Sequence, residues 1–425
     1  MPVRDNRYIP EEDRDFFILL WAGLWQKAEE PLSDAPDWEY IYTIACDQTE
    51  QGIVADGITI LKAAYGQGRF DTPFPTGEHW QETYDKFLSA VAQIVRRNHT
   101  VNRMQAYFCS ILNQNDIHYA IIKGQIVGQN YPKPMLRCSG DIDILVREED
   151  YKQAKDIALR LATAVLLDNS PKNIDFRIDN IVLEIHGVAL SYFAAQMDKC
   201  IEQERILMHT NCDYGHTDCY GIDVATANIH YHSLFLLYHI IRHITHTGLG
   251  LRQICDFAVF INRNASSINI TWLKDFLIKS GALHHWNFFL KFSMDFLGMP
   301  ANPSLHISID SLTIRIWAYI KYRCQNPVSP TAAQIWKQCR LTGNMGHKTS
   351  INENNFNHRN KIERNLRHFQ YVHSYVWNNF RLYPRQSLKT LSGFYVSFLK
   401  NISQLSYRKI IDRFYNNQLN VRNIK

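Results

Sequence analysis

Arg137-Cys138-Ser139-Gly140-Asp141-Ile142-Asp143-Ile144-Leu145-Val146 is the stretch that decides the reading of this chain. It sets two carboxylates two positions apart in a run that otherwise has the character of a buried strand. Alternate side chains of a strand share a face, so Asp141 and Asp143 point the same way, with Cα atoms about 6.5–7 Å apart. Ile142, Ile144 and Val146 point the other way, into a core. Two like charges side by side repel, and a divalent cation would relieve that repulsion. Groups that complete such a metal site must come from neighbouring strands or turns.

A third carboxylate comes from Ile181-Val182-Leu183-Glu184-Ile185-His186-Gly187. Glu184 sits mid-strand between apolar residues, where a solvated surface would not call for such neighbours. If that strand lies beside the first, three carboxylates meet. That is the usual minimum for a site handling phosphates through two metal ions. Glu184 is also placed to take the proton of an attacking hydroxyl. Upstream, Ile117–Ile122 reads as a strand leading into Lys123-Gly124, where glycine lets backbone N–H groups approach a phosphate closely. Arg137 stands four residues before Asp141, placed to neutralise phosphate charge. An ion pair of Arg137 with Asp141 or Asp143 is the structural alternative.

The surrounding pattern is mixed. Residues 1–115 read as helical, with helices over Trp38–Asp47 and Thr59–Ala64 and a long amphipathic pattern from Trp80 to Asn113 that Asn98-His99-Thr100 interrupts. Residues 116–190 give strand, loop, strand, helix (Tyr151–Leu167), then two strands joined at Asp179-Asn180. Residues 191–345 are mostly helical, with Ile222-Asp223-Val224 as a last short strand and the strongest helix over Ala227–Thr245. The expected fold is α+β, a small mixed sheet flanked by helical regions. The expected divisions are an N-terminal helical region (1–100), the core (101–200), a helical domain (201–345) and a basic aromatic extension (346–425).

Composition narrows the class. The chain has 425 residues, 46% apolar and 20% charged, as in globular proteins. No apolar run reaches the length of a membrane span, and Met1-Pro2-Val3-Arg4-Asp5 does not open a signal peptide. Nine cysteines without a C-x-x-C spacing read as reduced thiols, which with the missing leader points to the cytoplasm. His209, Cys212, His216 and Cys219 form a small cluster that reads as a surface turn, with zinc as its alternative. The net charge of +5 is uneven: residues 341–425 carry 14 Lys/Arg and 3 Asp/Glu. That segment points to an anionic partner, nucleic acid or an anionic membrane surface, or else forms a helical cap whose aromatic residues dock on the core.

The quoted residues resemble a known family. Lys123-Gly124, Tyr131-Pro132, Arg137, Gly140-Asp141-Ile142-Asp143 with Leu145-Val146, and Glu184-Ile185-His186 look like the signature of nucleotidyltransferases of the DNA polymerase β superfamily. They are most similar to the branch known as uncharacterised nucleotidyltransferases, common in bacteria. Leu234–His243, the Arg252-x-x-x-Asp256 step and Gly298-Met299-Pro300 resemble its helical segment, so the likeness spans about residues 85–300. It implies transfer of a nucleoside monophosphate, AMP as the expected unit, from an NTP (ATP) to an acceptor, with release of pyrophosphate. It implies Mg²⁺ or Mn²⁺ on Asp141, Asp143 and Glu184. Lys123, Gly124, Arg137 and Gly140 would face the nucleotide, with His186, Arg252 and Asp256 in supporting or substrate-facing roles. Gln125 follows Gly124 where the superfamily usually has serine or glycine. That departure motivates the alternative of a nucleotide-binding or regulatory protein that keeps the fold without turnover. His239, His243 and His246, at helical spacing, read as a helix face before they read as a metal site.

Overall fold

The computed structural model describes residues 9–170, 172–188, 195–246, 249–302 and 305, all within one of the two units into which the chain divides. The basic segment 341–425 and the part of the expected helical domain beyond residue 305 lie outside the described residues. The architecture is α+β. Seven strands form one mixed sheet: β1 (Tyr119–Ile122), β2 (Ile142–Val146), β3 (Ala164–Asp168), β4 (Asn173–Ile178), β5 (Ile181–His186), β6 (Tyr214–Cys219) and β7 (Ile222–Ala227). Their spatial order is β3-β4-β5-β2-β1-β7-β6. β2 runs parallel to β5 and antiparallel to β1, and β1 runs parallel to β7. The sheet thus continues to Ala227, past residue 200.

Alternation builds two different faces. Ile174, Phe176 and Ile178 of β4, Ile181, Leu183 and Ile185 of β5, and Ile142, Ile144 and Val146 of β2 are buried in one core. Phe108, Cys109 and Leu112 of α4 (Trp80–Gln114) and Ala154, Ile157 and Ala158 of α6 (Tyr151–Leu161) close that core. Each such large apolar side chain contributes about 1.5–3 kcal/mol by leaving water. The intervening residues, Asp143, Asp175, Glu184 and His186 among them, fall on the opposite face. Tight turns hold the register: Asp179-Asn180 joins β4 to β5, and Tyr220-Gly221, both at positive φ, joins β6 to β7.

Two local expectations are corrected. α4 is continuous through Asn98-His99-Thr100, because the Asn98 side chain turns away from its own backbone and donates to Met135 O (2.8 Å) and Arg137 O (2.9 Å). The helix expected over 151–167 stops at Leu161. Thr163 N–H donates to Arg177 O (2.8 Å), so the chain leaves the helix and forms β3 against β4.

Three helices precede α4: α1 (Arg14–Trp25), α2 (Trp38–Gln48) and α3 (Gln51–Gly66). α1 and α3 meet backbone to backbone, since a Cβ on Gly57 would lie 1.9 Å from Leu19 O and one on Gly23 2.1 Å from Ile53 O. This layer holds the loop before β2: Lys133 pairs with Asp56, and Gln51 receives the Cys138 thiol (3.4 Å). The short α5 (Gly124–Gly128) lies in the sheet region, and the later helices are α7 (Ala195–Thr210), α8 (Ile229–His246), α9 (Leu251–Asn264), α10 (Ile270–Ser280) and α11 (Leu283–Asp295). The N-terminal layer reaches the start of α9 and the end of α11. Gln48 accepts from Leu251 N–H (2.9 Å), and the Trp21 and Trp25 indoles donate to Phe296 O (2.9 Å) and Leu297 O (2.6 Å). Among the described residues no helix is long and apolar enough to cross a membrane.

Candidate active site

Strand register brings the polar residues together. Asp143 lies opposite Glu184 on the parallel neighbour β5, and Glu184 lies opposite Asp175 on β4. Three carboxylates therefore stand in a row on one face. Asp143, Glu184 and His186 each place a ligand atom within 4.8 Å of the other two, the one such group of three or more among the described residues. Lys123 follows Ile122, the β1 partner of Asp143, so its side chain folds back over the strand pair. Lys123 Nζ donates to Asp143 Oδ1 (2.6 Å), and His186 Nε2 lies 3.2 Å from the same oxygen and 3.5 Å from Glu184 Oε2.

Charge explains the titration of the cluster. Burial works to raise the Asp143 pKa, but Lys123 and His186 outweigh it and hold this carboxyl well below its usual range. Burial works to lower His186, and the two carboxylates reverse that, raising the imidazole to about 9. Lys123 is likewise raised against burial by Asp143, Asp141 and Glu184. Glu184 is raised by burial, with Asp143 and Asp141 adding to the effect and His186 opposing it. The result is one firmly ionised carboxylate, Asp143, beside one that holds a proton more readily, Glu184.

Asp141 stands one residue before β2 and outside the 4.8 Å group. Its charge still reaches the cluster, acting on Lys123, Glu184 and Asp175. The loop that carries it is fastened from α4: Arg97 donates to Gly140 O (3.3 Å) and to Asn180 O (2.9 Å) in the β4–β5 turn. The Ser139 hydroxyl lies between the amide oxygens of Gln125 (2.5 Å) and Asn98, with one hydrogen to give to either, and Gln125 in turn donates to Asn102. Gln125, the departure from the usual turn, therefore binds this loop to α4 and α5.

The Lys123-Gly124 turn has an unusual backbone. Lys123 lies at φ +55°, ψ −146° and Gly124 at φ +42°, and a Cβ on Gly124 would lie 3.4 Å from Asp141 O. Buried His232 of α8 accepts the Lys123 N–H at Nε2 (3.0 Å), with its ring against Phe260. Burial lowers its pKa to about 4, and the Lys123 charge adds to that. Nothing in the sequence marks His232, since its partner is 109 positions away. Asp175 was within reach of the sequence, because the alternation of Ile174-Asp175-Phe176 assigns it to the polar face.

Arg137 and Asp256 belong to a second, buried constellation. Arg137 Nε and Nη2 donate to the two Asp256 oxygens, both at 2.7 Å, and Tyr131 Oη donates to Oδ1 (2.8 Å). Arg137 thus braces the loop against α9; the expected ion pair exists, with Asp256 in place of Asp141 or Asp143. Arg252 does not pair with Asp256; its Nη1 donates to Cys138 O (2.8 Å). The His209–Cys219 residues do not gather: His209 contacts Tyr214 Oη (2.8 Å) and His216 contacts Asp223 (3.0 Å).

The crystal structure described as an antigenic nucleotidyltransferase-like protein from Paracoccidioides brasiliensis is 14% identical, with a TM-score of 0.28 over 45% of this chain and 92% of its own. No curated protein matches the chain. The sequence profile of the family described as "Uncharacterised nucleotidyltransferase" matches residues 34–298, which takes in α2 and α3 as well as the sheet and the helices through α11. The chain therefore belongs to the uncharacterised nucleotidyltransferase family.

Proposed function

We propose that this protein transfers a nucleoside monophosphate, AMP in the first instance, from an NTP to a small-molecule, sugar or protein acceptor and releases pyrophosphate. The convergence of Asp143, Glu184 and His186 on adjacent strands, under the Lys123 ammonium, carries the proposal. The carboxylates of Asp143 and Glu184, with Asp141 beside them, are hard oxygen donors that fit Mg²⁺ or Mn²⁺. Asp141, Asp143 and Glu184 would hold the ion, which when bound offsets charge on the phosphates during displacement.

The chain's own groups do the rest. Asp143 stays ionised across the working pH range. Glu184, with its raised pKa, takes the proton from the acceptor hydroxyl as the oxygen closes on the α-phosphorus. His186 orients both carboxylates by hydrogen bonding. Lys123 leaves Asp143 for the phosphates, and the Lys123-Gly124 turn offers backbone N–H groups to them. The kinship with polymerase β-like enzymes rests on the same residues.

Incubation with ATP labelled at either the α- or the γ-phosphorus tests the proposal. Label is expected to move to acceptor from the α-position only, with Mg²⁺ or Mn²⁺ present, and Asp143→Asn is expected to abolish it. Metal-independent transfer, or transfer from the γ-position, would contradict it. The Lys123–Asp143 pair favours one second reading, a nucleotide-binding regulator whose site is held by its own cation. ATP-induced thermal stabilisation with no pyrophosphate release would support that reading.

A further inference from the structure

Arg252, near the start of α9, carries a charge that no carboxylate neutralises. Nη1 reaches Cys138 O, Nε is buried without a hydrogen-bond partner, and among the described residues no carboxylate lies within ion-pair distance. Asp256, one turn further on, is committed to Arg137. Glu50 is close enough to feel Arg252, but burial and the Asp256 charge push its carboxyl up to about 8, so it is uncharged at neutral pH. A half-buried guanidinium with unused donors is a site for an anion.

Beside it, α8 sets His239 and His243 one turn apart with their Nε2 atoms 2.8 Å from each other, one donating and one accepting. The pair is continuous with the carboxylate cluster. Phe235, one turn before His239, lies under Lys123 Nζ at 5.7 Å, and its ring is 14° from parallel with that of His239. Lys123 itself rests on Asp143. Charges facing His239 come from Lys123 at the end of β1, Arg242 and His243 on α8 and Arg252 on α9; with burial, they all favour its neutral form. That surrounding repels a metal ion, which argues against a two-histidine metal site, and attracts an anion.

We propose that Arg252 and the His239–His243 pair form a phosphate-binding subsite next to Lys123. The inference rests on the reading of the Asp143–Glu184 cluster as a nucleotide site and names what the α8 and α9 residues beside it recognise. The phosphate is either the pyrophosphate half of the NTP or a phosphate carried by the acceptor. Arg252 supplies charge and planar donors. The histidine pair supplies an N–H and takes up a proton as the anion arrives, because a nearby negative charge favours the imidazolium.

Calorimetric titration of the full chain with inorganic pyrophosphate and with glucose 1-phosphate, in EDTA at pH 7 and in two buffers of different ionisation enthalpy, tests this. At least one anion is expected to bind with proton uptake. Arg252→Gln is expected to weaken it by about tenfold or more, with part of the affinity retained in Arg252→Lys. His239→Asn, on a separate helix, is expected to remove the proton uptake. Arg252-dependent binding of pyrophosphate alone assigns the phosphate to the NTP; Arg252-dependent binding of glucose 1-phosphate alone assigns it to the acceptor. Folded Arg252→Gln and His239→Asn variants that bind both anions as the parent does would overturn the subsite. Loss of α-label transfer in the parent, with Arg252-dependent binding intact, would count against nucleotidyl transfer and leave the subsite standing.

Discussion

His232 reaches the Lys123-Gly124 turn through one hydrogen bond, and that bond fixes where the Lys123 side chain starts. His232→Leu leaves the Lys123 N–H without its acceptor, at about 1–3 kcal/mol of stability. His232→Gln offers an oxygen near the place of Nε2 and should recover most of the loss, which chemical denaturation of the two variants would measure. The folded His232 pKa, about 4, lies below the ordinary 6.5. Its contribution is therefore complete above about pH 6.5 and fades as pH falls towards 4, because the unfolded chain binds the proton first. Glu50 has the opposite sign. Its folded pKa of about 8 lies above 4.5, so stability is fullest below pH 4.5 and falls as pH rises to 8. Glu50→Gln removes that fall. Its melting temperature relative to the parent should rise from pH 5 to 8 and level off beyond; a constant difference would contradict the buried, protonated carboxyl. At this scale the sequence showed residue types and faces but not distant partners. The alternation around Glu184 assigned its face, and the parallel pairing of β5 with β2 supplied the condition that puts it beside Asp143. The partner of Arg137 lies 119 positions away, and no local pattern announces it.

Among elements, the loop between α5 and β2 is held from three sides: by Arg137–Asp256 to α9, by Lys133–Asp56 and Gln51 to α3, and by Asn98 and Arg97 to α4. Asp256→Asn breaks the buried bidentate pair and leaves Arg137 charged and unsatisfied, an expected loss of about 3–5 kcal/mol by denaturant titration. Gly57→Ala drives a methyl into Leu19 O and should lower stability by about 1–3 kcal/mol or more as α1 and α3 separate. Near-parental stability of that variant would contradict the close packing. The period-2 pattern of β4 and β5 and the apolar stripe of α4 were legible because each is long enough to repeat. β3 was not. Ala164-Val165-Leu166-Leu167 continues an apolar helical pattern, and only pairing with β4 turns it into a strand. The Asn98 side chain was read as a helix breaker because its acceptors, in the loop some 40 residues on, could not be seen.

Across the whole molecule, the family match and the packing agree on one unit that begins before the sheet. The resemblance carried by the motifs starts near residue 85, whereas the family profile starts at residue 34, with the helices that clamp the pre-β2 loop. Those helices have no chemical signature, so only packing and the profile reveal that they belong. On this scaffold, the proposed nucleotide transfer depends on a divalent cation held by Asp143 and Glu184. The most direct measurement is Mn²⁺ titration followed by electron paramagnetic resonance, with a non-hydrolysable ATP analogue, on the parent, Asp143→Asn and Glu184→Gln proteins. The parent is expected to deplete the free-ion signal beyond the analogue alone, Asp143→Asn not to do so, and Glu184→Gln to do so weakly. Binding in Asp143→Asn equal to that of the parent, or none in the parent, would contradict this dependence.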